Sequence, residues 1–597
     1  MYVFMKGFIN FLRSIEVPQA RWNRVTLSFL IWGGLCIVAN LFCTNANAFG
    51  GDQGYWADWV KKLAEGGFEK FNGNYPPLYV FWLWVVSKVY VLFDIPIDKT
   101  FMLKFLCLWP VYFAHLALVD IASRLVSKIK LEPAKANLVL AFVALNPALL
   151  LDGPIWGQVD MFPCIFGIAA LYCVNFRSKM KYAALFFALA LLAKFQMILL
   201  LPIFGGIFIR KYKISWRGLP AMAVAIVLVL LPFFIAGNLS GMLSRAYVNT
   251  TSQYPYATYN AANLWMLTVG NLSADATPFF NLPKEGIWSL LSPAWIGKIL
   301  FVIVSLYILK CSLFARNLRT TFKLATFSSF AFFLLLPGMH ERYLIYAIPF
   351  ACMWLVLDLR KSWFWVACIT LLCAMNIEMV NGLKGGDLWP WISAFGVIVF
   401  AAASVHALFP KFFPLLAYAI SRLSLPRFTP YVVLGLILVV ELSCEVRESR
   451  PIEVELLPNQ MYLTDLKIDR YTQEYGSPRI NRSVEGKTLT VKNRQFEHGI
   501  GSHASSSLHF TLPANAEYLD FYVGVDDEVS GGGSVKFIVK SDEGELWSSG
   551  LVRGNNAPVP GRAKVAGLDH IVLVIDADGD NAYDHADWLS LILTLKK

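Results

Sequence analysis

Charge is scarce in this sequence and stands mostly near the ends of long apolar runs. A run such as Val25–Cys43 is long enough to cross a hydrocarbon layer, which takes about 20 apolar residues. An uncompensated charge inside such a run costs about 2.5–3.5 kcal/mol on insertion scales. Two carboxylates, Asp52 and Asp58, follow that first run in GGDQGYWADW, and GMHERYL (Gly338–Leu344) interrupts another pair of runs. Carboxylates, a His and an Arg collected near the ends of membrane segments suggest a catalytic or transport site. With 57% hydrophobic and 16% charged residues, against about 25% charged in a soluble domain, most of the chain must face lipid.

Charge also divides the chain in two. Residues 451–597 hold 14 Lys+Arg and 21 Asp+Glu, a net of −7, whereas residues 1–450 hold 38 and 20, a net of +18. Such a split marks two different solvents rather than nucleic-acid binding. The basic excess lies mainly in short loops between apolar runs, where it orients a membrane protein. All ten cysteines stand at or before Cys444, so the tail needs neither a disulfide nor a thiolate metal site.

Apolar runs at 25–43, 101–122, 137–151, 160–176, 182–209, 220–241, 293–311, 322–337, 343–357, 363–381, 388–409 and 430–445 predict about 11–13 membrane segments. The first lacks a convincing cleavage site and reads as a retained helix. The run 182–209 is long enough for two half-helices broken around Lys194. Basic clusters at Arg13–Arg24, Arg124–Lys135, Arg177–Lys181, Arg210–Arg217, Lys310–Lys323, Arg360–Lys361 and Lys411–Arg427 belong inside. Loops 44–75, 152–160, 242–292, 338–342 and 382–387, the turn at Lys194 and the tail then share the outer face. Parity leaves room for one crossing between 44–75 and 124–135, so 76–94 is expected to re-enter or lie at the interface. After Arg450, short alternating runs such as SSLHFTL, GSVKFIVKS and HIVLVID are separated by Gly, Asn and Asp turns. They predict an all-β sandwich. The expected fold is a polytopic α-helical membrane domain over 1–450 plus an extracytoplasmic all-β sandwich over 451–597, in the cell membrane.

Five constellations could carry chemistry. Asp52 and Asp58 stand among Tyr55, Trp56 and Trp59, consistent with an amphipathic helix on the outer surface. A carboxylate beside a membrane suits general-base work on a hydroxyl, although loop acids are more often simply solvated. Tyr75 opens YPPLYVFWLWV, a plausible helix start. NPALLLDGPIWGQVDMFP places Asp152, Gln158 and Asp160 at the joint of two apolar arms, where Asp160 could also be an N-cap. Lys194, deep in LLAKFQMILLLP, either snorkels to an interface or meets an anion. His340 and Arg342 suit a phosphate, while Glu341 could pair with Arg342 as a structural bridge.

Together GDQGYWADW, NYPPLYVF, NPALLLDGPIWGQVD, LLAKFQ, YNAANLW (Tyr259–Trp265) and MHERY resemble the polytopic GT-C glycosyltransferases, most closely bacterial relatives of the GPI-anchor mannosyltransferases, over residues 25–410. The resemblance implies an inverting transfer of a hexose such as mannose from a polyprenyl-phosphate sugar to an outer-face glycan, lipid or protein. Asp52 matches the family's acidic catalytic residue, with Asp58 as a second acid that family members often lack. Lys194, His340 and Arg342 would hold the donor phosphate, with Tyr75, Gln158, Asp160 and Glu341 on the same face. The tail segments FEHGIGSHASSSLHFTL, FYVGVDDEVSGGGSVKFIV and DGDNAYDHADWLSLIL resemble an NPCBM carbohydrate-binding module. On that likeness His503, Asp526, Asp527, His585, Asp587 and Trp588 are its sugar-binding candidates, although buried histidines and acids also serve as satisfied core groups. No cofactor is implied with certainty, and a divalent cation is left open. The alternative is a transporter or lipid flippase with a sugar-binding outer domain; against it, no internal repeat is evident.

Overall fold

A computed structural model of the chain describes residues 11, 12, 15, 22–44, 50–93, 101–212, 218–249, 255–282, 286–381, 388–408 and 456–596, the last range without 493, 530, 531, 555, 580 and 582. The predicted segment 430–445 lies outside the described residues. The chain divides into two compact units, Met1–Val439 and Val440–Lys597.

The first unit is helical. Among the described residues five helices are long and apolar enough to cross a membrane: Asn23–Thr44, Pro133–Ile155, Phe195–Tyr212, Pro293–Phe314 and Leu359–Val380. Phe101–Cys107 and Trp109–Lys128 qualify as a pair bent by 49°. Proline at the second residue of Trp109–Lys128 accounts for the bend, because its ring cannot continue the preceding helix. Six shorter apolar helices of 10–17 residues complete the set, among them Met161–Val174, Met180–Ala193 and Tyr343–Leu357. The expected break at Lys194 is present. The helix Met180–Ala193 stops there, Lys194 is extended at φ −161°, and a 3₁₀ turn, Phe195–Leu200, follows.

Residues Gly50–Lys70 are helical but broken at Gly66 and Gly67, whose backbone is not helical; the segment packs against Pro77–Leu92 through Trp56 on Tyr79 before the break (ring centroids 5.2 Å) and Phe68 on Phe81 after it (5.2 Å). Proline opens the second helix, where its missing N–H is not needed. Tyr79, Leu83, Val86 and Tyr90 recur every three or four residues, and all are buried.

The second unit is an antiparallel sandwich. One six-stranded sheet runs Val559–Lys564, Ala516–Val525, His585–Leu595, Gly499–His503, Arg479–Ile480, with Gln460–Tyr462 also paired to His585–Leu595. The other, of five strands, runs Gly544–Arg553, Ser534–Ser541, His570–Ala577, Ser506–Thr511, Arg470–Gln473. Period-two alternation sends Leu508 and Phe510, Val535, Phe537 and Val539, and Ile571, Leu573 and Ile575 into the space between the sheets. Trp588 fills the middle, edge-on to Phe537 at 5.2 Å and beside Phe521 at 5.3 Å. Its assignment to sugar binding is therefore corrected: the indole is wholly buried core, with no face for a ligand. Truncating so large a buried ring costs about 3–5 kcal/mol. Residues 452–597 expressed alone should unfold cooperatively in urea, and Trp588→Ala should lower their stability by about that amount. A non-cooperative transition in the parent fragment would contradict an independent core.

Candidate functional site

The centre of the helical unit is built on the segment between Asn146 and Met161. Asn146 caps the short helix Pro147–Leu150, its Oδ1 accepting from Leu149 N at 3.4 Å. A π-turn, Leu151–Ile155, follows and includes Asp152. Such single turns rotate the side chains that follow relative to an α-helix. Gly157 adopts φ +97°, which a residue with Cβ takes only under strain. The Lys104 ammonium donates to Ile155 O at 2.6 Å, tying the turn to the bent helix pair. The chain then enters Met161–Val174 with Asp160 at its N-cap position, though the Asp160 carboxylate makes no capping hydrogen bond.

That carboxylate is otherwise engaged. Asp160 is fully buried and forms an ion pair with Lys194, whose ammonium donates to Oδ1. Tyr346 Oη donates to the same oxygen at 2.6 Å, and Arg342 Nε stands 3.6 Å from Oδ2. Lys194 also donates to Tyr75 Oη at 3.4 Å, with its nitrogen 4.8 Å from the ring centroid. Arg342 Nη1 donates to Glu341 Oε1 at 2.7 Å, and the guanidinium lies 5.1 Å from the Trp156 ring centroid. His340 Nδ1 is 3.9 Å from Glu341 Oε2.

Two loops are stapled together beside this cluster. Thr258–Tyr259 pairs in parallel with Met339–His340, and Tyr259 faces His340 at 4.6 Å between ring centroids. Asn376 accepts from Ala262 N at 2.9 Å and donates to Glu341 O at 2.5 Å. The YNAANLW and MHERY stretches are thus neighbours in space.

The structure brings together Tyr75, Asp160, Lys194, His340, Glu341 and Arg342. Gln158 is buried in the same loop, its N–H donating to Asp152 O at 2.9 Å. Lys194 meets an anion, but the anion is the protein's own Asp160, and the expected Glu341–Arg342 bridge forms. Asp58 does not join them: it pairs with Lys62 at 2.7 Å one helical turn away, on an exposed face. Its place as a possible second acid therefore finds no support from the buried cluster. Position 52 falls in the first turn of Gly50–Lys70, and its side chain lies outside the described residues. From the same helix Trp56 and Trp59 reach Tyr75, at 5.3 and 5.4 Å between ring centroids. Sequence reasoning missed Tyr346 and Asn376, for which no pattern signal exists, and Trp156, a large aromatic in a loop of small residues.

In the sandwich, His503 and His585 are direct cross-strand partners with rings 5.3 Å apart. The half-exposed Tyr475 covers both, at 5.1 and 5.8 Å, and donates to Glu485 Oε1 at 2.7 Å. His585 Nδ1 sits 2.7 Å from Glu528 Oε1, while Ser483 Oγ donates to the other oxygen of Glu528 at 2.7 Å. Tyr475, Glu485 and Glu528 were not anticipated. Asp526 and Asp527 bond to backbone: Asp526 accepts from Thr490 N (3.0 Å) and Glu528 N (2.7 Å), and Asp527 from Lys492 N (2.9 Å). Asp587 is buried beside Asp526. Among the described residues no group of three or more His, Cys, Asp or Glu is arranged to hold a metal ion.

Residues 459–594 match the family model described as NPCBM/NEW2 domain. Alpha-1,3-galactosidase B of Akkermansia muciniphila is 38% identical over 123 residues, 20% of this chain and 16% of that protein. The chain therefore spans only a small part of its curated relative. A CBM51 from Clostridium perfringens GH95, solved in complex with methyl-galactose, is 29% identical over 23% of this chain and 99% of that one, with a TM-score of 0.22. Arabinosyltransferase EmbB from Mycobacterium smegmatis, solved by cryo-EM, aligns over 97% of this chain and 65% of its own, at 14% identity and a TM-score of 0.27.

Removing one partner of a buried ion pair strands the other charge, at a cost of about 3–5 kcal/mol. Lys194→Met should therefore lower the melting temperature of the full-length protein in detergent, and Asp160→Asn should restore much of it in the double variant. Additive losses in that double-mutant cycle would contradict the pairing.

The sandwich should also report its buried acids through pH. Burial, then Glu528, raises Asp526 to about 6; burial, then Asp526, raises Asp587 further above the carboxylate range. The folded state holds these protons more tightly than the unfolded, so their contribution is lost as pH rises through the folded values. His503 is lowered by burial, and Glu528 by its bond with His585 against burial; their contributions are lost on acidification. Both raised acids therefore lose their contribution as pH rises above the ordinary carboxylate range. The melting temperature of the fragment should fall from pH 6.5 to 8, and Asp587→Asn should flatten that fall. A flat profile in the parent fragment would contradict the shared burial of the two acids.

Proposed function

We propose that the chain is an integral-membrane glycosyltransferase that moves a hexose from a polyprenyl-phosphate carrier to a glycan, lipid or protein acceptor on the outer face. The observation that carries the reading is the buried convergence of Tyr75, Asp160, Lys194, Glu341, Arg342 and His340 at the broken ends of apolar helices. Those residues come from four of the stretches that resemble GT-C enzymes, far apart in sequence. Desolvated charge at one place in an apolar bundle suits a reaction in which charge develops on a leaving group.

In this mechanism Asp52 takes the proton from the acceptor hydroxyl, whose oxygen attacks the anomeric carbon from the face opposite the phosphate. The anomeric C–O bond breaks, its electron pair goes to the carrier phosphate, and the sugar is transferred with inversion. Arg342 is the better placed cation for that phosphate. Lys194 is held by Asp160 and acts mainly by keeping the site's shape, whereas the Arg342 side chain retains 16% exposure. Arginine also offers a fork of donors that matches phosphate oxygens. Position 52 precedes Trp56 by one helical turn, and Trp56 packs on Tyr75, which reaches Lys194. This connection supports placing the base beside the cluster.

The match to an NPCBM/NEW2 domain, with relatives that include a galactose-binding module and part of a galactosidase, supports a tail that holds a carbohydrate acceptor. The exposed Tyr475 ring, backed by the buried His503 and the partly buried His585, is its binding face in this reading, because an exposed aromatic ring offers an apolar face to a sugar. Tethering a weakly bound polymer near the site raises its local concentration.

Purified protein supplied with defined polyprenyl-phosphate sugars should release carrier phosphate and form a glycosidic bond. Asp52→Asn should abolish transfer without lowering the melting temperature, because the amide keeps shape but takes no proton. Arg342→Lys should cut kcat by about 10²–10³, the usual cost of one lost transition-state donor. Removal of residues 452–597 should raise KM for a polymeric acceptor far more than for a short one. Wild-type turnover in Asp52→Asn would move the base elsewhere, and no transfer from any donor would sink the reading.

A further inference from the structure

We infer that Asp152 is a sugar-binding residue of the membrane-unit site, its carboxylate accepting hydrogen bonds from hydroxyl groups of the carrier-linked hexose. This rests on the transferase reading above and adds a residue to which that reading gives no role.

Asp152 is 1% exposed, and neither of its oxygens has a hydrogen-bond partner among the described residues. Buried carboxylates in that state are uncommon, because each lost partner costs free energy that the fold must make good elsewhere. The neighbouring acids are treated differently. Asp160 receives Lys194 and Tyr346, and Glu341 receives Arg342, yet no described basic side chain forms an ion pair with Asp152. It nevertheless stands within electrostatic reach of Asp160, Arg342, Lys194 and Glu341, so it belongs to the same cluster.

Its backbone is held tightly. Asp152 O accepts from Gln158 N at 2.9 Å, and a Cβ added at Gly153 would meet Val111 Cγ1 at 2.9 Å. The π-turn, flanked by this close approach and by the left-handed Gly157, fixes one direction for residue 152. A rigid backbone presenting a carboxylate without partners describes a group kept ready for a ligand.

The chemistry of the cluster selects the ligand class. A metal ion would need further donors that the described residues do not group there. A sugar hydroxyl donates to a carboxylate, and two adjacent hydroxyls can engage both oxygens at once. Arg342 and Asp152 would then divide one substrate between them, the cation taking the phosphate and the acid the sugar.

Binding of two probes to the full-length protein in detergent tests this: polyprenyl-phosphate mannose and bare polyprenyl phosphate, each compared by ligand-dependent melting shift. Galactose- and glucose-bearing carriers serve as further probes. A hydrogen bond to a charged group is worth about 1.5–3 kcal/mol, so wild type should bind at least one sugar-bearing carrier about tenfold or more tighter than the bare carrier. Asp152→Ala and the near-isosteric Asp152→Asn should both shrink that ratio, to near one in the alanine variant. Affinity for bare polyprenyl phosphate should stay unchanged, and the ligand-free melting temperature of the asparagine variant should not fall, since the buried carboxylate has no partner to lose. Equal loss of affinity for both probes, a fall in ligand-free stability of the asparagine variant, or a wild type that does not distinguish the probes would overturn the assignment. A sugar-dependent ratio that collapses in the variants, without transfer by wild type, would leave Asp152 in place and defeat the transferase reading instead. Transfer with an intact ratio in both variants would do the reverse.

Discussion

The helical unit depends on one buried ion pair, Asp160 with Lys194. Moving two charges out of water costs several kcal/mol per ion, and their attraction offsets this only when further hydrogen bonds complete the geometry. Here Tyr346 and Tyr75 supply those bonds, one at each end of the pair. Each partner occupies a place where a helix cannot run on: Asp160 at the start of Met161–Val174, Lys194 where Met180–Ala193 gives way to a 3₁₀ turn. Through these four residues the pair joins the 152–160 loop, the break at 194, the start of Pro77–Leu92 and the Tyr343–Ala347 turn. Placement of the remaining polar groups follows from it.

This arrangement separates charges that hold the site from charges that can meet a substrate. Lys194 is consumed by Asp160, whereas Arg342 sits farther from that carboxylate, flanked by Glu341 and the Trp156 ring. The Asp160–Lys194 pair can remain in place with or without ligand, because its two charges already balance each other. The proposed chemistry needs only its edge to be charge-seeking. The β-sandwich follows the same logic at smaller scale, with Trp588 and the Asp526–Asp587 pair inside and Tyr475, His503 and His585 at the rim.

Much of this was legible in the sequence, and the reason is solvent. A bilayer makes every charge informative, so Asp160, Lys194, Glu341 and Arg342 stood out against apolar runs, and the break at Lys194 could be read from a run too long for one helix. The period-two strands around Leu508, Val535 and Ile571 were equally plain. Short edge strands such as Arg470–Gln473 and Arg479–Ile480 were missed because, exposed on both faces, they carry no alternation. Partnerships were the hardest to read. Lys194 looked ready for an external anion because its carboxylate lies 34 residues earlier in the chain. Tyr346 and Asn376 acquire their roles only from long-range packing, which no local pattern encodes.

The central claim is that the Asp160–Lys194 core presents one site to a sugar carried on a polyprenyl phosphate. A cryo-EM map of the full-length protein with a non-hydrolysable polyprenyl-phosphonate sugar tests it most directly. Phosphonate density should lie against Arg342, with the sugar beside Asp152 and position 52 and with Asp160 still paired with Lys194. Density for the headgroup elsewhere in the bundle, or a Lys194 that leaves Asp160 to take the phosphonate, would contradict it.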